Sequence, residues 1–111
     1  MDIRFKSEKL RKICCDQRLI EKTYGDVGGK KLRQRLDELK AASNLEVMRK
    51  LPGGCHEVSG DRAGQFAVYL DGPYRLVFEP AHDPVPIKSD GGINWSEVTC
   101  IRILERVDYH H

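Results

Sequence analysis

The sequence predicts an α+β fold in which an N-terminal strand and a helical hairpin pack on a twisted, mainly antiparallel sheet. Three observations predict it. Apolar residues recur at helical spacing between residues 7 and 42, then at strand spacing after residue 55. Glycine-rich turns separate the two regions. The 111 residues, 40% hydrophobic and 32% charged, suit one globular domain over 1–111 that buries roughly two-thirds of its unfolded surface.

Taken in order, Ile3-Arg4-Phe5 is a short strand. Ser7 is a good helix N-cap, and Leu10, Ile13, Cys14, Ile20 and Tyr24 form the stripe of a first helix, interrupted only by Gln17. Gly25 ends that helix, and residues 26–29 make the turn. A second helix runs from about Lys30 to Ala42, with Leu32, Leu36 and Leu39 on one stripe and Lys31, Arg33, Arg35 and Lys40 on its other faces. So short a connection makes the two helices an antiparallel hairpin. Ser43-Asn44 caps a brief helical turn, Leu45 to Lys50, which Pro52-Gly53-Gly54 stops.

The texture then becomes that of strands. Residues 55–58 form a short one, and residues 60–64 a turn. Residues 65–70 alternate, with Phe66, Val68 and Leu70 on one face. Asp71-Gly72 signals a tight hairpin turn. On the returning strand, Tyr74, Leu76 and Phe78 face the core while Arg75 and Val77 face away. Residues 80–96, with three prolines and Gly91-Gly92, form a long loop. Glu97 to Val107 is almost continuously apolar, as a central strand would be.

Several classes are excluded. No apolar run approaches the roughly 20 residues of a membrane-spanning helix, and Met1 to Lys6 leads into no secretory h-region. A cytoplasmic location is therefore expected. The sequence has no phosphate-binding GxxxxGK[ST] or GxGxxG motif, no HExxH and no nucleophile elbow, so no cofactor is expected. Cys14, Cys15, Cys55 and Cys100 contain no CxxC pair; they read as reduced, mostly buried thiols rather than metal ligands. His82, in the proline-rich loop, reads as solvated. The net charge of +2 hides an asymmetry: residues 1–50 hold 14 Lys/Arg against 8 Asp/Glu, and residues 51–111 hold 5 against 9. The basic half suits a polyanion or an acidic partner.

His56 is the first residue with chemical promise. It precedes the Gly60-Asp61-Arg62 turn, and Arg62 and Arg75 lie on segments expected to be sheet neighbours. Asp108, Tyr109 and His110 follow the last strand. Arg supplies planar donors for a phosphate, and His and Tyr transfer protons, so the set suits phosphodiester cleavage.

The run Gly60-Asp61-Arg62-x-Gly64-Gln65-Phe66, the stretch Gly72-Pro73-Tyr74-Arg75-Leu76-Val77-Phe78-Glu79, Cys55-His56-Glu57 and the terminal Asp108-Tyr109-His110 resemble the HigB-type killer toxins of bacterial toxin–antitoxin systems, in the wider RelE/ParE group. The resemblance covers essentially the whole chain. It implies a RelE-like fold and an mRNA endonuclease that works on the 70S ribosome without metal. It also implies neutralisation by a helix-turn-helix antitoxin, with operator DNA reached only through that partner. On this resemblance His56 and His110 are acid–base candidates, Tyr109 assists, Asp108 tunes a His, and Arg75 with Arg62 stabilises the phosphate. The cluster Lys30, Lys31, Arg33 and Arg35 is the expected docking surface for ribosomal RNA. The strand Gln65 to Leu70 lacks the lysines and arginines of RelE-like members, which favours a histidine-based site. A gyrase-poisoning ParE-like toxin and a non-catalytic RNA- or protein-binding module are the alternatives.

Overall fold

Five strands form one mixed sheet in a computed structural model that describes residues 1–108. In chain order the elements are β1 (Asp2–Phe5), α1 (Glu8–Cys14), α2 (Gln17–Ala41), β2 (His56–Glu57), β3 (Phe66–Tyr69), β4 (Tyr74–Pro80) and β5 (Cys100–Asp108). Short 3-10 segments cover Leu45–Lys50, Gly60–Arg62 and Trp95–Glu97. Across the sheet the order is β1-β5-β4-β3-β2; β1 runs parallel to β5, and the other pairs are antiparallel. The expected α+β layout and the placing of the last strand inside the sheet both hold.

The helical layer breaks at Gly25, as the sequence suggested, and also between Cys14 and Gln17, where no break was expected. Helix α1 stops at Cys14 because Asp16 starts a new helix: its Oδ1 accepts from Arg18 N at 2.9 Å and Leu19 N at 3.2 Å. Gln17 is thus the first residue of α2 and no flaw in a stripe. At Gly25 the backbone is not helical (φ 79°, ψ 175°), so within the span of α2 one helix ends there, as expected, and the next follows directly. Residues 26–29, expected to be a turn, are helical. Gly29 serves close packing: a Cβ there would lie 3.1 Å from Ile20 Cγ2 and 3.3 Å from Glu21 Cα.

One hydrophobic cluster joins the helices to one face of the sheet. Ile20, Leu32, Leu36 and Leu39 meet Phe66, Val68, Leu76, Phe78, Ile101 and Ile103, with Leu45, Met48 and Trp95 closing the end. Tyr74 packs against this cluster, so the expected Tyr74-Leu76-Phe78 face is the core face. Ala67 and Val77, on the opposite face, are also fully buried.

Strand β5 carries a β-bulge. Val77 faces Glu105, but Phe78 faces Ile103, so Leu104 is an extra residue without a partner on β4. Because side chains alternate with a period of two, the extra residue reverses the parity of everything beyond it. Ile101 and Ile103 point to the core, whereas Glu105 and Val107 fall on the open face with Val77 and Arg75. Arg106 and Asp108 fall on the helix side with Leu76 and Tyr74.

The loop after β4 is tied down by a residue expected to be solvated. His82 Nε2 accepts from Thr99 N at 3.0 Å and Cys100 N at 3.3 Å, anchoring the loop to the start of β5. Only an unprotonated nitrogen can accept both bonds. Within the loop, Ile87 and Ile93 pair in a single antiparallel bridge.

The cysteines differ in access: Cys14 and Cys100 are buried, Cys55 half-buried and Cys15 exposed. Burial pushes the Cys14 thiol up to about 11 and the Cys55 thiol up to about 12. Both are therefore neutral and inert near neutral pH. Brief alkylation of the folded protein should give one adduct by mass spectrometry, on Cys15; fast labelling of Cys14 or Cys55 would contradict this packing. Stability should also fall as pH rises above 9.0, because the unfolded chain then loses these thiol protons before the folded one does.

Candidate functional site

The open face of the sheet gathers His56, Tyr69 and Arg75. The pairing His56↔Ala67↔Val77↔Glu105 lines up one row of side chains across four strands. The next row along is Tyr69↔Arg75↔Val107. Residues directly opposite in a sheet share a face, with adjacent strands about 4.8 Å apart. The two small buried residues, Ala67 and Val77, floor the space between the charged groups.

Tyr69 is the centre of the cluster. The Arg75 guanidinium carbon lies 4.3 Å from its ring centroid, a cation–π contact, and the His56 ring centroid lies 6.2 Å away at an interplanar angle of 50°. The tyrosine itself is held from three sides. Its amide donates to Gly53 O at 2.8 Å, its carbonyl accepts from Arg35 Nε at 2.7 Å, and its ring lies over Gly54. His56 is exposed, and its Nδ1 lies 2.9 Å from Gly54 O. A carbonyl can only accept, so Nδ1 carries the proton and Nε2 of the neutral ring has a lone pair to offer. Arg75 donates through Nη1 to Gly72 O (3.1 Å) and Tyr74 O (2.8 Å), which lays its guanidinium along the hairpin turn.

Arg62 stands across the Ala67–Val77 floor. It donates to Glu105 Oε1 at 2.5 Å and to Gln65 Oε1 at 3.2 Å. Both ionic partners are more than a third exposed, so the pair is weak and Arg62 can exchange it for another anion at little cost.

The remaining sequence-predicted residues are distributed differently. Asp108 is opposite Tyr74, on the helix side of the sheet and not on the face of Arg75, because the bulge at Leu104 reverses its parity. Tyr109 and His110 lie outside the described residues. Lys30 is exposed and Lys31 half-exposed, as docking residues must be. Arg33 spends its guanidinium within the fold, on Cys14 O at 2.9 Å and Asp37 Oδ1 at 3.1 Å. Arg35 is not a docking residue. It is 5% exposed and paired to Glu38 at 2.9 Å beneath Tyr69. Sequence reading missed Tyr69 and Glu105. Tyr69 occupies an outward position of an alternating strand, the one signal available for it. Among the described residues no three His, Cys, Asp or Glu side chains come together as metal ligands would.

No protein-family model and no curated protein matches this chain. Among solved structures, it is similar to the YoeB/ParE toxin from Agrobacterium tumefaciens, with a TM-score of 0.57, 12% identity and 100% of each chain covered. The two chains share a fold: the N-terminal strand, the helical hairpin and the mixed sheet correspond to the RelE/ParE-like arrangement.

The Gly54–Tyr69 contact is testable. Gly54 has φ +61°, and a Cβ there would lie 2.4 Å from Tyr69 Cε2. Gly54→Ala should cost about 1–2 kcal/mol for the left-handed backbone alone, and should displace the tyrosine ring as well. Chemical denaturation and the Tyr69 ring resonances would report this; an unchanged midpoint with unchanged resonances would show that the ring does not need this space.

Proposed function

We propose that the chain is the toxin of a bacterial toxin–antitoxin pair and cleaves mRNA on the ribosome. The observation that carries this reading is the His56–Tyr69–Arg75 cluster on the open face of a sheet with the RelE/ParE-like fold.

Cleavage of RNA by its own 2′-oxygen needs three things: a base for the 2′-hydroxyl, an acid for the leaving 5′-oxygen, and donors for the charge that builds on phosphorus. Neutral His56, with its proton fixed on Nδ1 by Gly54 O, presents Nε2 as the base. The 2′-oxygen then forms a bond to phosphorus as the bond to the 5′-oxygen breaks. His110, by resemblance, protonates the 5′-oxygen, with Tyr109 assisting. The products are a 2′,3′-cyclic phosphate and a 5′-hydroxyl, so atoms balance with side chains alone. Arg75 presents the Nε–Nη2 edge of its fork to the phosphoryl oxygens, since Nη1 is held on the turn. Arg62 leaves Glu105 to add a second cation. Tyr69 is the platform on which a flanking base stacks. Asp108 takes no part in this scheme. Lys30 and Lys31, rather than Arg35, supply the basic contact with ribosomal RNA. The partner is a helix-turn-helix antitoxin.

Expression without an antitoxin should stop growth by blocking translation. In pulse-labelling, protein synthesis should fall first, together with cleavage of ribosome-bound mRNA. A prior fall in DNA synthesis and supercoiling, with mRNA intact, would make the chain a gyrase poison instead.

Arg75→Ala should leave a folded protein, because the side chain is half-exposed and outside the core cluster. Its cleavage rate should drop by about 10²–10³-fold, the usual effect of removing one preorganised charge-stabilising donor. Single-turnover cleavage on programmed ribosomes measures this, and full activity in the variant would remove Arg75 from the site.

A further inference from the structure

On the helix side of the sheet, directly behind the proposed site, Arg106 occupies a half-desolvated niche that the scheme above does not use. Its guanidinium carbon lies 3.4 Å from the Tyr74 ring centroid and 4.8 Å from that of Tyr24. The cation is thus in contact with an aromatic ring from β4 and one from α2. Its Nη2 is 3.7 Å from Asp71 Oδ1, an ion pair too long for a hydrogen bond. Arg106 Nε and Asp71 Oδ1 are both buried without a hydrogen-bond partner. The two groups are therefore held by charge and by the ring quadrupoles, and each compensates the desolvation of the other. Gly28 borders the niche: a Cβ there would meet Arg106 Nη2 at 3.4 Å and Asp71 Oδ1 at 3.6 Å, ordinary contact distances.

Asp71 and Tyr74 are the two ends of the β3–β4 turn. The turn closes through Tyr74 N to Asp71 O (3.0 Å) and Leu70 N to Tyr74 O (3.1 Å). Gly72 O and Tyr74 O of the same turn hold Arg75 Nη1 on the opposite face. We infer that Arg106 is a positioning residue for Arg75: by pinning Asp71 and Tyr74 behind the sheet, it fixes the turn whose carbonyls aim the Arg75 guanidinium at a phosphate in front. The causal step is electrostatic. Without Arg106, the buried Oδ1 of Asp71 is left uncompensated on a side chain that is already a quarter exposed, which favours turning the carboxylate further into water. It reaches water by opening the turn, and that motion carries Gly72 O and Tyr74 O away from Arg75. The inference rests on the proposed role of Arg75 in phosphate binding.

The test uses the full chain, the variants Arg106→Met, Arg106→Lys and Arg106→Met/Asp71→Asn, and two readouts. The first is titration with inorganic phosphate, followed at the Arg75 Nε–Hε resonance, which needs no ribosome. The second is single-turnover cleavage. Arg106→Met should shift the Arg75 resonance, weaken phosphate binding about tenfold and lower the cleavage rate at saturating ribosomes by at least as much. Arg106→Lys keeps the charge that compensates Asp71 and should lose much less; it also serves if Arg106→Met does not fold. The double variant still lacks the cation but has no stranded carboxylate, so it should recover most of the loss. A residue needed only for stability would predict the reverse, because the double variant restores none of the stacking on Tyr74 and Tyr24. Full phosphate binding in Arg106→Met, or no recovery in the folded double variant, overturns the inference. If the unsubstituted chain cleaves no mRNA, the proposed function fails, while the phosphate titration still decides whether Arg106 positions Arg75.

Discussion

The single unpaired residue in β5, Leu104, determines which side chains share a face of the sheet. Before it, the strand sends Ile101 and Ile103 into the core. After it, the alternation is reversed: Glu105 and Val107 join Val77 and Arg75, while Arg106 is turned inward beneath the helices. A regular strand would put Arg106 on the open face and Glu105 in the apolar layer, where an ionised carboxylate has no counter-charge. The bulge therefore places Glu105 where it can hold Arg62 and sends Arg106 to its contacts with Tyr24, Tyr74 and Asp71. The opposing rows of the open face and the stack behind it both follow from one inserted residue.

A second constraint couples the layers. Arg35 is buried in α2, yet it reaches the sheet, donating through Nε to the carbonyl of Tyr69 and pairing with Glu38. The absence of a side chain on Gly53 makes the room: a Cβ there would approach Arg35 Nε to 3.2 Å. A desolvated guanidinium with satisfied partners is a stiff joint, because each bond it makes is expensive to leave unmade. The helix layer thus fixes the end of β3, and with it the ring that stands between His56 and Arg75.

Much of this was legible beforehand, and the failures have specific causes. Alternation in residues 66–70 and 74–78 gave the right core face because two-residue periodicity is local and robust. Ser7 was read as a cap and is one, accepting from Leu10 N at 3.1 Å. Asp16 carries the same signal, but the apolar stripe continues past it and hides the break. Arg35 lies three residues after Leu32 and four before Leu39, on the buried stripe itself. Its charge led to a surface assignment, although spacing argued for the interior. The bulge was unreadable: a run such as Cys100 to Leu104 contains nothing that marks which residue loses its partner, and so nothing in the sequence shows on which face Asp108 lies. Tyr69 could not be recognised as the centre of the cluster, because its role depends on two residues brought beside it by pairing.

The parallel pairing of β1 with β5 joins Asp2 to Cys100 and Phe5 to Ile103. Strand β1 therefore waits for β5 before it has any neighbour in the sheet. Until residues 100–108 have cleared the ribosome, β4 also lacks one of its two partners, and the core lacks Ile101 and Ile103. Contacts so distant along the chain form late, after the local helices and the β3–β4 hairpin. The open face, whose Arg62 leans on Glu105 of β5, is then assembled only once that strand is in place. This topology works as a delay: no nascent chain that stops short of β5 can present the complete open face.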